Sequence, residues 1–547
     1  MKRLLFFITL IVGFYNSNAQ VAEDTYRLYL TDKDFNQFTI DKPEEFLSQK
    51  ALIRRTNQNI EINQKDLPVS KLYLDSLQKL GLQIRNKSKW LNSVVVYTTN
   101  QALIDTITNI GFIKSKQKKF PKLNSFSNNK LPEKNLTSLV KQDEPLDYGN
   151  GTTQISMLNG HVLHQNGLKG QGITIAVIDG GFYNVNLLPA FDSLWFYNQI
   201  LGTKDFVDGD LQVFDASSHG MKVLSTIAAN IPGELIGTAP KANYWLLRSE
   251  ETETEYSVEE DNWVAAAEFA DSVGVDIITS SLGYTEFDDS TQNYTYSDMD
   301  GNTTFITKAA DIAASKGILV INSAGNLADD PWKYISAPAD GDSVLTVGAV
   351  DAYASYAYFS GKGPTYDGRI KPNVAAMGYK TAVMGVDSLV TVANGTSFSA
   401  PLIAGMAACL WQYYPELNNM EIIHKIEESA HQYSYPDYYL GYGIPDFGKA
   451  ANLTNTNIYS FEETVVINVY PNPFSNYIII ELLQKNEEPI SVELFTIFGI
   501  KLKEEVKFEN GFNNLIFDNL EDISSGIYFL KIKIGNQFIL KRISKVK

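Results

Sequence analysis

The chain has 547 residues, enough for two to four domains and at least one large core. Its 44% hydrophobic and 20% charged residues are those of a globular protein, while a formal charge of −17 and a pI near 4.9 argue against an electrostatic grip on nucleic acid or an anionic membrane. One cysteine, Cys409, excludes internal disulfides, and its apolar surroundings make it a small buried hydrophobe rather than a reactive thiol.

Residues 1–19 join a basic start (Lys2, Arg3) to an apolar run from Leu4 to Phe14 and a small residue, Ala19. That pattern predicts a secretory signal, too short to span a bilayer, and no later segment is long and apolar enough for a transmembrane helix. The mature protein is therefore expected to be exported. Between Thr25 and about Phe120 the periodicity predicts strand, polar segment, helix, strand, strand, helix, strand, a two-layer βαββαβ unit of ferredoxin-like α+β type. An Asn-, Lys- and Pro-rich stretch then runs to Tyr148 and reads as an exposed linker open to proteolysis, so 20–147 is taken as one module with its linker.

From 148 to 452 short apolar strands such as ITIAVID, ILVINSAG and SVLTVGAV alternate with helical stretches. This predicts an α/β domain with a doubly wound parallel sheet covered on both faces, whose ligands sit at the carboxyl ends of the strands. Residues 453–464 read as a polar linker, and 465–547 as short strands separated by turn signals, a small all-β sandwich.

The reactive side chains gather at strand ends in the middle domain. ITIAVID ends in Asp179, ILVINSAG leads to Asn326, and Ser397 stands in NGTSFSAP before an apolar helix. Of five histidines, only His219 lies between Asp179 and Ser397; His161 and His164, at helical spacing without a third ligand, read as solvated or helix-packing. A serine nucleophile needs a base, a carboxylate to orient the base, and donors for an oxyanion. His219, Asp179 and Asn326 supply one of each for Ser397, which at a helix N-terminus meets orphan N–H groups that favour developing negative charge. Gly395 and Ala400 are expected to leave room for close approach, and Pro401 to sit in the first helical turn.

These residues carry a resemblance. AVIDGG, SHG, SSLG at 280–283, NSAGN at 322–326, VGAV, FSGKGP, KPNVAA and NGTSFSAP follow one another in the order seen in subtilases, the subtilisin-like serine peptidases. The resemblance implies that Asp179 orients His219, which takes the proton of Ser397 as it attacks the scissile carbonyl, with Asn326 and the Ser397 N–H holding the oxyanion. Ser281, Leu282 and Gly283 would pair with an extended substrate backbone. Departures from the family pattern are Gly180 after the acid, Met221 and Lys222 after the His-Gly pair, and Phe398 after the nucleophile.

The N-terminal unit resembles the family's propeptide, an intramolecular chaperone and inhibitor. The C-terminal one, with VYPNPFSN at 469–476 and SGIYFLKIKIG at 525–535, is similar to the type A sorting domain of type IX secretion in Bacteroidota. Together they imply a secreted or cell-surface serine endopeptidase made as a zymogen, with protein or peptide substrates and the type IX machinery as partners. Alternatives are a catalytically idle surface binding protein of the same fold and an esterase on the same machinery. The chemistry requires no cofactor. Subtilases often bind structural calcium, but the acidic insert Thr285–Asn302 lacks EF-hand spacing and reads as a solvated loop, so no metal ligand is assigned.

Overall fold

A computed structural model describes residues 24–119, 146–453, 467–482, 490–496, 501–507, 514–534 and 537–546. The signal expected at 1–19 and most of both linkers fall outside the described residues. The chain forms two compact units divided after Leu453.

The first unit opens with β1 (Asp24–Leu30), α1 (Gln49–Asn57), α2 (Lys71–Lys79), β2 (Gln83–Ser88), β3 (Ser93–Thr98), α3 (Gln101–Thr106) and β4 (Ile113–Lys119). The strands form an antiparallel sheet in the order β2-β3-β1-β4, with Leu28, Val94, Val96, Leu77 and Ile104 in its core. Helix α1 occupies the expected polar segment. It carries no apolar stripe because it buries Ala51, Arg54 and Arg55, so its sequence lacks the period that marks an amphipathic helix.

The same unit continues through β5 (Thr174–Asp179), β6 (Ile200–Asp205), α4 (His219–Ala228), β7 (Asn243–Arg248), α5 (Val258–Val273), β8 (Ile277–Ser280), α6 (Phe305–Ser315), β9 (Leu319–Ser323), β10 (Val344–Val350), β11 (Val374–Met377), α7 (Thr396–Tyr413) and α8 (Asn419–Ser429). Seven parallel strands lie in the order β11-β10-β9-β8-β5-β7-β6. Along β5, Ile175 and Val177 join the core that holds residues of α4 and α7, while Ala176 and Ile178 join the core that holds residues of α5 and α6. Both faces are thus buried, which is why the strand reads as a continuous apolar run. The strand order reverses about β5, and Asp179 is its last residue, so the acid sits at the switch point of a doubly wound sheet.

The N-terminal sheet docks on α5 and α6 through buried ion pairs. The Arg27 fork holds Asp261 at 2.5 and 2.6 Å, with its guanidinium 3.2 Å above the Phe305 ring. Asp271 receives Arg54 at 2.5 Å, Arg55 at 2.8 Å and Lys89 at 3.1 Å. Glu268 accepts from the Ser88 hydroxyl and from the backbone N–H groups of Lys89 and Trp90, and the Trp90 ring enters the core beneath. Lys50 on Asp276 and Lys316 on Asp66 extend the lattice.

The second unit contains β12 (Ile467–Tyr470), β13 (Ile478–Leu482), β14 (Ile490–Thr496), β15 (Lys501–Lys507), β16 (Asn514–Phe517), β17 (Gly526–Ile534) and β18 (Gln537–Lys545). They build two antiparallel sheets, β12-β13-β16 and β15-β14-β17-β18. Alternate residues (Ile478 and Ile480, Val492 and Leu494, Leu530 and Ile532) point into one core, the period-two pattern of a sandwich.

Candidate active site

Asp179 is fully buried at the end of β5, where its carboxylate accepts the Gly180 N–H at 2.8 Å. His219 begins α4, and its Nδ1 lies 2.8 and 3.0 Å from the two Asp179 oxygens. Nδ1–H therefore donates to the carboxylate and Nε2 is left as the acceptor. Burial disfavours a charged ring, but the Asp179 charge and hydrogen bond outweigh it, and the His219 pKa is raised from its ordinary 6.5. The glycine of SHG has a steric reason: a Cβ on Gly220 would come within 2.4 Å of the Gly181 carbonyl oxygen and 2.8 Å of the Asp179 Cβ.

Ser397 is the second residue of α7, 7% exposed, and its helix is buried from Thr396 to Trp411. Pro401 is not in the first turn as expected but sixth in the helix. With no N–H it cannot bond the carbonyl four residues back, which belongs to Ser397. The Ser281 hydroxyl donates to that carbonyl instead, at 2.9 Å. Gly395 also differs from expectation: a Cβ there would meet nothing closer than 3.5 Å, so space is not the requirement, and its φ of +145° is.

Asn326 is exposed, and its Oδ1 accepts from both the N–H (2.8 Å) and the hydroxyl (2.9 Å) of Thr396, the residue before the nucleophile. This fixes the amide orientation and leaves Nδ2 as a donor beside the start of α7. Ser281, Leu282 and Gly283 lie just past the end of β8; Asn322 Nδ2 donates to the Leu282 carbonyl at 3.0 Å, and the Tyr284 N–H pairs with the Ala337 carbonyl. Asp179 and His219 are thus joined directly, and Ser281 and Asn326 are each bonded to residues at the start of α7. No hydrogen bond among the described residues joins His219 to Ser397. Phe398 stands next to both, its ring 6.0 Å from the imidazole.

The departure at Gly180 has a local cause, since a Cβ there would lie 2.7 Å from the Thr252 methyl. His164 is a packing residue: it is buried, accepts the Tyr148 hydroxyl at 2.9 Å, donates to the Thr238 carbonyl at 2.8 Å, and is pushed down to about 4 by burial. In the acidic insert Asp289, Asp298 and Asp300 accept from nearby backbone N–H groups in tight turns. Glu250, which belongs to no motif, takes the Tyr284 hydroxyl and bears electrostatically on both Asp179 and His219. Only the folded chain brings it there.

Residues 170–443 match the model of the subtilase family, 25–135 that of a peptidase S8 propeptide domain of Bacteroidota, and 468–546 that of a secretion system C-terminal sorting domain. Subtilisin DY of Bacillus licheniformis is 27% identical over 303 residues, 54% of this chain and 97% of that protein. A thermostable alkaline protease of Halalkalibacterium halodurans is 28% identical over 335 residues, covering 61% and 81%. The fold resembles the crystal structure of the epidermin leader peptide processing serine protease of Staphylococcus aureus, with a TM-score of 0.54 and 16% identity over 80% of this chain and 99% of that one. The sorting domain places the protein outside the cell or on its outer surface, by way of type IX secretion. No helix among the described residues is long and apolar enough to cross a membrane.

Proposed function

The chain belongs to the subtilase family of serine endopeptidases, carrying a propeptide, and on that premise we propose that Asp179, His219 and Ser397 are its catalytic triad. His219 Nε2 takes the Ser397 hydroxyl proton as the oxygen attacks the scissile carbonyl, and Asp179 holds the imidazole in the required tautomer and stabilises the imidazolium. Asn326 Nδ2 and the Ser397 N–H receive the oxyanion, helped by the N-terminal end of α7. The protonated His219 then gives its proton to the leaving amine, and water repeats the sequence on the acyl-enzyme. Ser281, Leu282 and Gly283 bind the substrate backbone. The observation that carries this reading is the Asp179–His219 pair at 2.8 and 3.0 Å beside a helix whose first residues are tied to Asn326 and Ser281.

The domain reading follows from it: a signal at 1–19, a propeptide with linker at 20–147, the catalytic domain at 148–452, a linker at 453–464 and the sorting domain at 465–547. The protein is made as a zymogen whose propeptide is cut away. Casein hydrolysis and intact mass, followed for the chain without its signal and for Ser397→Ala, test this. The wild type should digest casein, shed its N-terminal module and react with a fluorophosphonate. The variant should do none of these, with turnover reduced on the order of 10⁴-fold or more. A wild type that stays inert after separate removal of the module would instead support an idle binding protein.

A further inference from the structure

Three aromatic rings meet on loops that follow β10 and β11. The Phe359 and Tyr379 rings are tilted by 34° with centroids 6.4 Å apart, and the Tyr358 ring stands edge-on to both, at 81° and 5.4 Å from the first and 68° and 6.5 Å from the second. Phe359 is 7% exposed and packs with Ala349 and Ala357, and Tyr379 lies half-buried against them, so these two rings form a floor. Tyr358 is 62% exposed and stands on that floor as a wall. The result is an apolar corner open to solvent.

Backbone hydrogen bonds tie this corner to the reactive residues. Two residues after Asn326 the Ala328 N–H donates to the Phe359 carbonyl at 3.0 Å, and the Gly361 N–H donates to the Gly325 carbonyl at 2.8 Å. From the other loop the Lys380 N–H donates to the Asn394 side chain at 2.8 Å, and the Gly395 N–H donates to the Gly378 carbonyl at 2.8 Å. Asn394 and Gly395 lead into Thr396, which Asn326 holds, and then into Ser397. The corner is thus fastened both to the proposed oxyanion donor and to the turn of the proposed nucleophile. The sheet order says on which side of them it lies. Ser281–Gly283 follow β8, Asn326 follows β9, and the three rings follow β10 and β11, beyond β9 from β8. A peptide whose part before the cleaved bond lies along Ser281–Gly283 therefore carries the part after it across Asn326 onto the corner. The rings also select its chemistry. Edge-to-face contacts at these spacings favour another aromatic ring. A basic side chain is disfavoured, because the Lys380 amine already lies 5.5 Å from the centre of the Tyr379 ring.

We propose that Tyr358, Phe359 and Tyr379 bind an aromatic side chain on the leaving half of the substrate, which makes the enzyme selective for bonds followed closely by phenylalanine, tyrosine or tryptophan. The inference rests on the peptidase reading above. Its test uses the full chain, expressed and allowed to process, and alanine-rich peptides with a constant sequence before the cleaved bond. One phenylalanine is moved through the three positions after that bond, and product masses locate the cut. At one position phenylalanine should raise kcat/KM by about tenfold over alanine, as expected for one well-packed aromatic contact, and lysine there should gain nothing. The gain should be lost in Tyr358→Ala and return in Tyr358→Phe, which restores the ring without its hydroxyl. A merely structural loss would lower turnover of both peptides together and leave their ratio unchanged. Equal cleavage of the phenylalanine and alanine peptides by the wild type, an equal gain from lysine, or a phenylalanine gain that survives Tyr358→Ala would each overturn the subsite. In those cases casein is still digested and the peptidase reading stands. An enzyme that neither digests casein nor reacts with a fluorophosphonate overturns both.

Discussion

The cleft and the seam beneath the N-terminal sheet both bury charge, and they treat it in opposite ways. At the seam Asp271 takes three cations, Arg27 gives both arms of its fork to Asp261, and Glu268 accepts three donors. In the cleft one pair, Asp179 and His219, is closed, while His219 Nε2 and Asn326 Nδ2 make no hydrogen bond among the described residues. The seam matches charge with charge from the chain itself, even though Arg55 Nε and Nη1 and Trp90 Nε1 are buried there without partners. The open donor and acceptor of the cleft are the two that the proposed acyl transfer uses.

Three experiments probe that contrast, the largest effect first. In the intact Ser397→Ala chain, Asp271→Asn should leave Arg54, Arg55 and Lys89 competing for a neutral amide and destabilise the docked N-terminal domain by about 3–5 kcal/mol. Faster hydrogen exchange along α1 and α5 would report it; unchanged exchange would mean that packing around Trp90, not the ion lattice, holds the seam. Burial opposes the charge of Asp271, but Lys89, Arg55 and Arg54 outweigh it and keep its pKa below the ordinary 3.8. The stability it lends is complete above that value and is lost only as pH falls below it.

Ser281→Ala should cost about 1–3 kcal/mol, because the Ser397 carbonyl loses its one non-helical donor among the described residues. Adding Pro401→Ala restores an N–H four residues on and should recover most of the loss in urea unfolding, whereas simple additivity of the two changes would show that the hydroxyl does not stand in for the missing amide. The third probe is pH. As the proposed base, His219 must be neutral to accept a proton, and its pKa is raised, so the acid limb of kcat/KM should lie above 6.5, falling about tenfold (about 1.4 kcal/mol) per unit below it. Asp179→Asn should move that limb down; a limb that stays put would remove Asp179 as its cause.

The parallel sheet and the sandwich are legible in the sequence because burial on two faces and on one face leave different periods, continuous in ITIAVID and alternating in GIYFLKIKI. Asp179, His219, Asn326 and Ser397 stand out for a related reason: each interrupts an apolar stretch or opens a helix with a reactive group. Helix α1 escapes notice because it buries two arginines, whose shared partner, Asp271, lies more than 200 residues away. The role of Pro401 is hidden for the same cause, since the donor that replaces its N–H is Ser281, 116 residues before the carbonyl it serves. Glu250 has no period and no motif either, and its tie to the Tyr284 hydroxyl is a property of the folded chain.

The bond from Ser281 to the Ser397 carbonyl has a mechanical consequence. A helix with an ordinary residue at 401 would close its own ladder and leave the Ser281 hydroxyl without this acceptor. By omitting one amide hydrogen the chain splices a strand end to a helix start: the stretch proposed to hold the substrate backbone, tied also to Asn322 and Ala337, is joined to the turn that carries the proposed nucleophile. A displacement of one is then passed to the other through a single bond.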